Sequence, residues 1–406
     1  MRRATLTEFG MAPFEIIDGD RGKSYPKQWD FSDSGHCVFL NATNVTRNGF
    51  EFSECQFISE QKDNQLRKGK LQRDDIVLTT RGTIGNVAHF KASVPFEQMR
   101  INSGMVILRC DPNKILPTYL YHFLRSPSFH GQVNSLRSGV AQPQLPIRDM
   151  KRIKIPLPNL TEQRRIASIL SAYDDLIENN RRRIRLLEKA ARLLYKEWFV
   201  HFRFPGHECI TVTNGVPDGW KKEKVSAHVD FVRGVEPGSK NYMQVSDEML
   251  VPFLRVGDFG NRISNIFIDA TFAEGKMLKS EDVAITMDGT PGLVGFGMTG
   301  AFSSGIRKVV PKDNCGIGWS FIYTLLKSES IQATVARFAK GTTILHASSS
   351  IDHMVFLQPH QGILGVFEDV TGSLLRQVLL LDQQNRKLVK ARDLLLPRLM
   401  NGAVTV

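Results

Sequence analysis

The feature that most constrains this chain is a repeat of itself at a spacing near 200 residues. Leu71-Gln-Arg-Asp-Asp-Ile-Val-Leu-Thr-Thr-Arg-Gly-Thr-Ile-Gly85 is echoed by Leu278-Lys-Ser-Glu-Asp-Val-Ala-Ile-Thr-Met-Asp-Gly-Thr-Pro-Gly292. Leu, Asp, an apolar triplet, Thr and Gly-Thr-x-Gly fall at identical offsets. Ser103-Gly104 returns as Ser304-Gly305, Pro117–Ser126 as Trp319–Ser328, and Gly139 as Gly341, each of these two glycines following a helical stretch. Each copy closes on an extended apolar run, Ile153–Pro158 and Met354–Pro359, and a long helical pattern follows. Five ordered blocks make a duplication, and duplication at this period fixes the architecture as module, helix, module, helix. Short strands broken by Gly, Asn and Asp, with one or two helices per copy, predict an α+β module with a curved sheet.

The two helical stretches carry a second pattern. Apolar positions run Ile166, Leu170, Tyr173, Ile177, Asn180, Ile184, Leu187, Ala191, Leu194 and Trp198, in steps that alternate four and three. That is the seam of a left-handed coiled coil. Adding 201 gives Phe367, Thr371, Leu374, Val378, Leu381, Asn385, Leu388, Arg392, Leu395 and Leu399, weaker at Thr371 and Arg392 but in the same phase. A seam of that extent is about 50 Å long, more than one module face needs. Two amphipathic helices, each packed on its own module, are the simpler alternative. A duplicated chain places its halves naturally about a pseudo-twofold axis. Antiparallel helices with matched centres would then set Asn180 opposite Asn385, where amide hydrogen bonds pin the register. The expected divisions are 1–155 and 206–360 for the modules and 156–205 and 361–406 for the helices.

Bulk composition narrows the partners. The chain has 406 residues, 42% hydrophobic and 23% charged, enough to bury substantial cores. Its net charge is +12, concentrated at +7 in residues 1–155 against −1 in residues 206–360, so a polyanion is drawn to the first half. Five scattered cysteines without a Cys-x-x-Cys read as reduced thiols in a cytoplasmic protein. No run of about 18 apolar residues is present, and no apolar signal core follows Met1-Arg-Arg.

Catalytic and metal constellations do not emerge. The ten histidines lack metal-ligand spacing. Gly22-Lys-Ser24 lacks the leading glycine of a P-loop and reads as a turn. Gly295-Phe-Gly-Met-Thr-Gly300 matches G-x-G-x-x-G, but its counterpart Ala88–Ser93 has no glycine. The recurring acids Asp74-Asp75 and Glu281-Asp282 sit where a strand begins and read as surface charge.

Several segments resemble one family. Glu162-Gln-Arg-Arg-Ile-Ala-Ser-Ile-Leu170 after Ile155-Pro-Leu-Pro-Asn-Leu160, the continuation Ile177–Glu188 to Val200, and Arg203-Phe-Pro-Gly-His-Glu208 look like the helical regions of type I restriction–modification specificity subunits. Pro217-Asp-Gly-Trp220 and Leu394-Leu-Leu-Pro-Arg-Leu-Met-Asn-Gly402 are similarly typical. The resemblance implies two target-recognition domains, each reading one half of a split sequence in double-stranded DNA, with the antiparallel helices setting the gap. It implies a non-catalytic chain on which two methyltransferase subunits dock, with two motor-nuclease restriction subunits able to join. S-adenosylmethionine is then a cofactor of the methyltransferase subunit, and this chain needs none. An adenine methyltransferase would need an Asn/Asp-Pro-Pro-aromatic segment, which is absent here. The second helix opens Gln361-Gly-Ile-Leu364 where the family pattern has Glu-Gln-Arg-Arg, so the two docking faces need not be equivalent. An orphan subunit of a methylation-only complex and a protein-binding coiled-coil scaffold are the alternatives.

On that reading the Gly-Thr-x-Gly turns are candidate DNA contacts, with Arg81 and Thr83 in one and Asp288 and Thr290 in the other. Arginine suits guanine O6/N7, and aspartate can accept from cytosine N4. A turn held by glycine conformations alone accounts for the motif equally well. The loops after the module helices supply Arg137, Gln142 and Gln144, and Lys340 and Thr342, for phosphates and adenine edges. Arg47, Arg100, Arg255 and Arg307 are further basic candidates near strand ends.

Overall fold

A computed structural model describes residues 5–139, 143–244, 249–313 and 315–404. Two 40-residue helices, Leu160–Phe199 and Gln361–Met400, each follow one α+β module. The chain divides into two compact units that cut both helices: Met1–Glu178 with Asn385–Val406, and Asn179–Gln384.

In the first unit a four-stranded antiparallel sheet has Met105–Cys110 between Phe14–Asp18 and Ile76–Thr79, with Val87–His89 outermost. A second sheet pairs Cys37–Leu40 in parallel with Met99–Ile101 and antiparallel with Phe57–Ile58. Where one curved sheet was expected, the described residues of each module form two sheets of three or four strands, with short two-stranded ladders beside them. Ile76, Leu78, Val106 and Leu108 lie under helices Pro117–Leu124 and Pro127–Leu136, packed on Phe9, Phe123 and Phe129.

The second unit repeats the plan, with one further strand, Met277–Leu278, on its second sheet. Ile306–Pro311 lies between Val229–Arg233 and Val283–Thr286, with Val294–Gly295 outermost. Leu250–Leu254 runs parallel to Gly300–Phe302 and antiparallel to Phe267–Asp269. Helices Trp319–Leu326 and Glu329–Phe338 stand where the first module has its pair. The duplication is one of fold as well as sequence.

The helix seam is buried or half-buried at every position assigned from periodicity. In the first unit Ile166, Ala167 and Leu170 share a core with Leu396, Leu399 and Met400. In the second, Trp198 and Phe199 pack on Phe367 at ring separations of 5.6 and 4.8 Å. Within each unit the start of one helix thus meets the end of the other, which is antiparallel pairing. The two weak seam positions have partners. Thr371 is fully buried, donating to the Phe367 carbonyl at 2.6 Å and sharing a hydrogen bond with Ser320 Oγ. Arg392 binds Asp174.

The family-like Gln163 acts as a clamp. Its Oε1 accepts from the Leu116 amide at the start of helix Pro117–Leu124, and its Nε2 donates to the Lys114 and Pro158 carbonyls. The second helix uses Gln361, whose Nε2 donates to the Cys315 carbonyl at 3.1 Å, and Glu368, which accepts from the Ser320 and Phe321 amides at 3.2 Å each. The unlike openings thus make the same kind of helix-to-module attachment.

Gly295–Gly300 is no nucleotide loop. Gly295 and Gly300 lie in strands of different sheets, and a Cβ on Gly300 would come within 2.4 Å of the Pro252 carbonyl oxygen. Asp75, read from sequence as surface charge, is buried instead, held by Arg109 at 2.7 and 2.9 Å and accepting from the Gln72 amide. No helix among the described residues is long and apolar enough to cross a membrane.

Candidate nucleic-acid interface

In each module the Gly-Thr-x-Gly turn is closed by the threonine that ends the preceding strand. The Thr79 hydroxyl donates to the Thr83 carbonyl and accepts from the Asn86 amide at 3.0 Å. The Thr286 hydroxyl donates to the Thr290 carbonyl and accepts from the Leu293 amide, also at 3.0 Å. Gly82 and Gly85 have φ of +69° and +88°, and Gly289 and Gly292 have +75° and +92°, conformations that favour glycine. The shared motif is therefore a framework. What differs is the residue it presents, Arg81 or Asp288.

The turn does not stand alone. The Gly104 carbonyl accepts from the Thr80 and Arg81 amides, just as the Gly305 carbonyl accepts from those of Met287 and Asp288. The Leu145 amide donates to Thr80 O, and that of Ala347 to Met287 O. Beside these bonds the loops after the helices fold back: Ser138 and Gln144 exchange backbone hydrogen bonds at 2.9 Å, and Lys340 and His346 do so at 3.0 and 2.8 Å. Arg81 forms a bridge with Gln144, and Asp288–Gly289 a short ladder with Leu345–His346. Two segments that sequence named separately, turn and loop, thus form one edge in each module.

Along that edge Arg81, Thr83, Arg137 and Gln144 are exposed in the first module, and Thr290, Lys340 and Thr342 in the second. Gln142 lies outside the described residues. Asp288 is half-buried, and its carboxylate lies 2.7 Å from His346 Nδ1, within hydrogen-bond distance. His346 was not singled out from sequence; its place beside Asp288 follows from loop pairing, which carries no local signal.

The remaining basic candidates divide. Arg47 is exposed in the turn of the Val45–Phe50 hairpin. Arg255 is exposed but paired with Asp258 at 3.2 Å. Arg100 belongs to the interior. It is 5% exposed, binds the fully buried Asp63 carboxylate, and donates to the carbonyls of Lys68, Asp63 and Leu66. Arg307 is likewise buried, bonded to the Ser304 and Ile306 carbonyls and to Ser348 Oγ, and burial lowers its pKa. Neither has the access that a DNA contact needs. Among the described residues no group of His, Cys, Asp and Glu could hold a metal ion.

Residues 14–189 match the model of the type I restriction modification DNA specificity domain. The HindI specificity subunit of Haemophilus influenzae is 21% identical, with 95% of this chain and 98% of that protein covered. Residues 14–189 are thus similar to a type I specificity domain, and the longer alignments are to type I specificity subunits. The MjaIX specificity subunit of Methanocaldococcus jannaschii is 26% identical, covering 82% of this chain and 78% of that protein. The crystal structure of the S subunit from M. genitalium shares the fold, with a TM-score of 0.55 at 17% identity over 98% of this chain and 96% of that one. The paired edges keep matching backbone bonds in the two modules while presenting unlike side chains.

Proposed function

We propose that this specificity subunit reads a bipartite DNA target, one half-site per module, and presents it to the methyltransferase subunits of a type I complex. The observation that carries the reading is a single hydrogen-bonded edge built twice, with Arg81 and Gln144 on one copy and Asp288 and His346 on the other. One framework with unlike side chains is what reading two different half-sites requires. The chain is the non-catalytic, DNA-recognising component of that complex.

In this reading two methyltransferase subunits dock on the helices, two restriction subunits complete a nuclease, and S-adenosylmethionine binds in the methyltransferase subunit. The module boundaries at 155 and 206 belong to the same reading, as does the cytoplasm as compartment. Asn180 and Asn385, each buried in its helix, would fix register along the coil.

The test is to co-express the chain with its methyltransferase subunit and map methylated adenines across a genome. A split motif with a fixed unread spacer is expected. Methylation without any recurrent motif would overturn the reading and favour the protein scaffold.

A further inference from the structure

The two edges contain a third segment that the turn and loop motifs do not reveal. In the first module the strand Phe14–Asp18 leads into Gly19, where a Cβ would come within 2.3 Å of the Asn102 carbonyl oxygen. In the second, Val229–Arg233 leads into Gly234, where a Cβ would meet the Phe302 and Ser303 carbonyl oxygens at 2.1 and 2.3 Å. Asp18 pairs with Val106 and Arg233 with Arg307, and each partner lies two residues past the matching glycine, Gly104 or Gly305. Both chains are thus pinned against the same turn in the same register, and two residues beyond the glycine stand Arg21 and Glu236.

These two side chains rest on equivalent serines. Arg21 Nη2 donates to the Ser103 carbonyl at 3.3 Å, and Glu236 Oε2 accepts from Ser304 Oγ at 2.5 Å. The residue after each serine, Gly104 or Gly305, takes the amide of Arg81 or Asp288. Arg21 therefore stands beside Arg81, and Glu236 beside Asp288. Arg21 and Glu236 are both exposed. Arg21 also reaches Asp18 at 3.2 Å, an exposed pair of a kind worth little to stability. Its other guanidinium nitrogens have no partner among the described residues, and Glu236 engages through Oε2 alone.

At two matched positions, then, the first module carries a cation and the second an acid. We propose that each module reads its half-site with this composite edge: Arg21 and Arg81 select guanine acceptors, and Glu236 and Asp288 select the amino donors of cytosine or adenine. Guanidinium groups offer only donors, matching guanine O6 and N7, whereas carboxylates only accept. The inversion at two positions supplies four of the eight charges that separate +7 in residues 1–155 from −1 in residues 206–360. The proposal rests on the DNA-reading function proposed above and deepens it.

The test uses the full chain in complex with its methyltransferase subunit and a library of duplexes with a randomised central region. The unaltered complex enriches a split motif. Arg21→Ala lowers preference at a guanine position in one half about tenfold, leaving the other half intact. Glu236→Gln changes an amino-bearing position in the opposite half only. Retention of the untouched half-site shows that each variant is folded. An unchanged motif in both variants, or equal weakening on every sequence, overturns the composite edge. Failure of the unaltered complex to enrich any motif overturns the DNA-reading function itself.

Discussion

Arg392 Nη1 lies 2.6 Å from the Asp174 carboxylate, an ion pair between the two long helices of the first unit, at a seam position where apolar residues predominate. Asp174 also accepts from Arg125 of the module, and His122 lies at 3.7 Å, so one carboxylate joins both helices to the module. Burial alone would raise the Asp174 carboxyl; the guanidinium groups of Arg125 and Arg392 hold it below the usual carboxylate range.

Asp174→Leu should destabilise the protein strongly, on the order of 3 kcal/mol, because it leaves two guanidinium groups partly buried without their counter-charge. Arg392→Met in the same chain should recover part of the loss. Urea unfolding of the two single variants and the double measures the coupling. Equal, additive losses would show that the pair does not act as a unit.

Acid should weaken the first unit before its carboxylates titrate. Burial drives the His122 pKa down to about 3 and that of His89 to about 4. Both rings are therefore neutral in the folded chain and gain protons on unfolding. Their contribution is complete above the ordinary histidine value of 6.5 and is lost as pH falls from there toward the folded values. The urea midpoint should fall steadily between pH 6.5 and about 4, and His122→Gln should flatten that slope.

Arg100→Leu should cost stability and leave base preference unchanged. Asp63 would keep Lys70 at 2.6 Å but lose its buried partner, at a cost of about 3 kcal/mol or more. Thermal unfolding together with duplex selection separates the two effects. A relaxed motif at full stability would return Arg100 to the interface.

Thr79→Val and Thr286→Val should each loosen one reading turn. Each removes a bond to a carbonyl and one acceptor from an amide, that of Asn86, which keeps the Thr83 carbonyl at 3.3 Å, or that of Leu293, a loss of about 1–3 kcal/mol. Discrimination should then fall in one half-site per variant, read by competition between matched and mismatched duplexes.

Much of the fold was legible in residues. The 201-residue offset located both helices, and the four-three alternation found a seam that is buried or half-buried throughout. Periodicity and repetition survive in sequence because every turn of a helix and every copy of a module must obey them. The site was legible in part. Gly-Thr-x-Gly marked the turn, but its closing hydrogen bonds come from Thr79 and Thr286, which sequence showed only as shared letters. Arg100 and Arg307 looked no different from Arg81, because whether an arginine is buried depends on a partner such as Asp63, 37 residues away. Asp75 was misread for the same reason, its partner Arg109 lying on a neighbouring strand. Arg21, Glu236 and His346 reach the edge through strand pairing and loop closure, which leave no local pattern.

The threonine-closed turn carries a consequence for how such a protein can change. Its closure is set by a hydroxyl, two glycines and main-chain atoms, and the side chains at 81 and 288 take no part in it. Under the proposed reading, a lineage can exchange its target at those positions while the turn goes on folding, so novelty in recognition and soundness of structure are inherited separately.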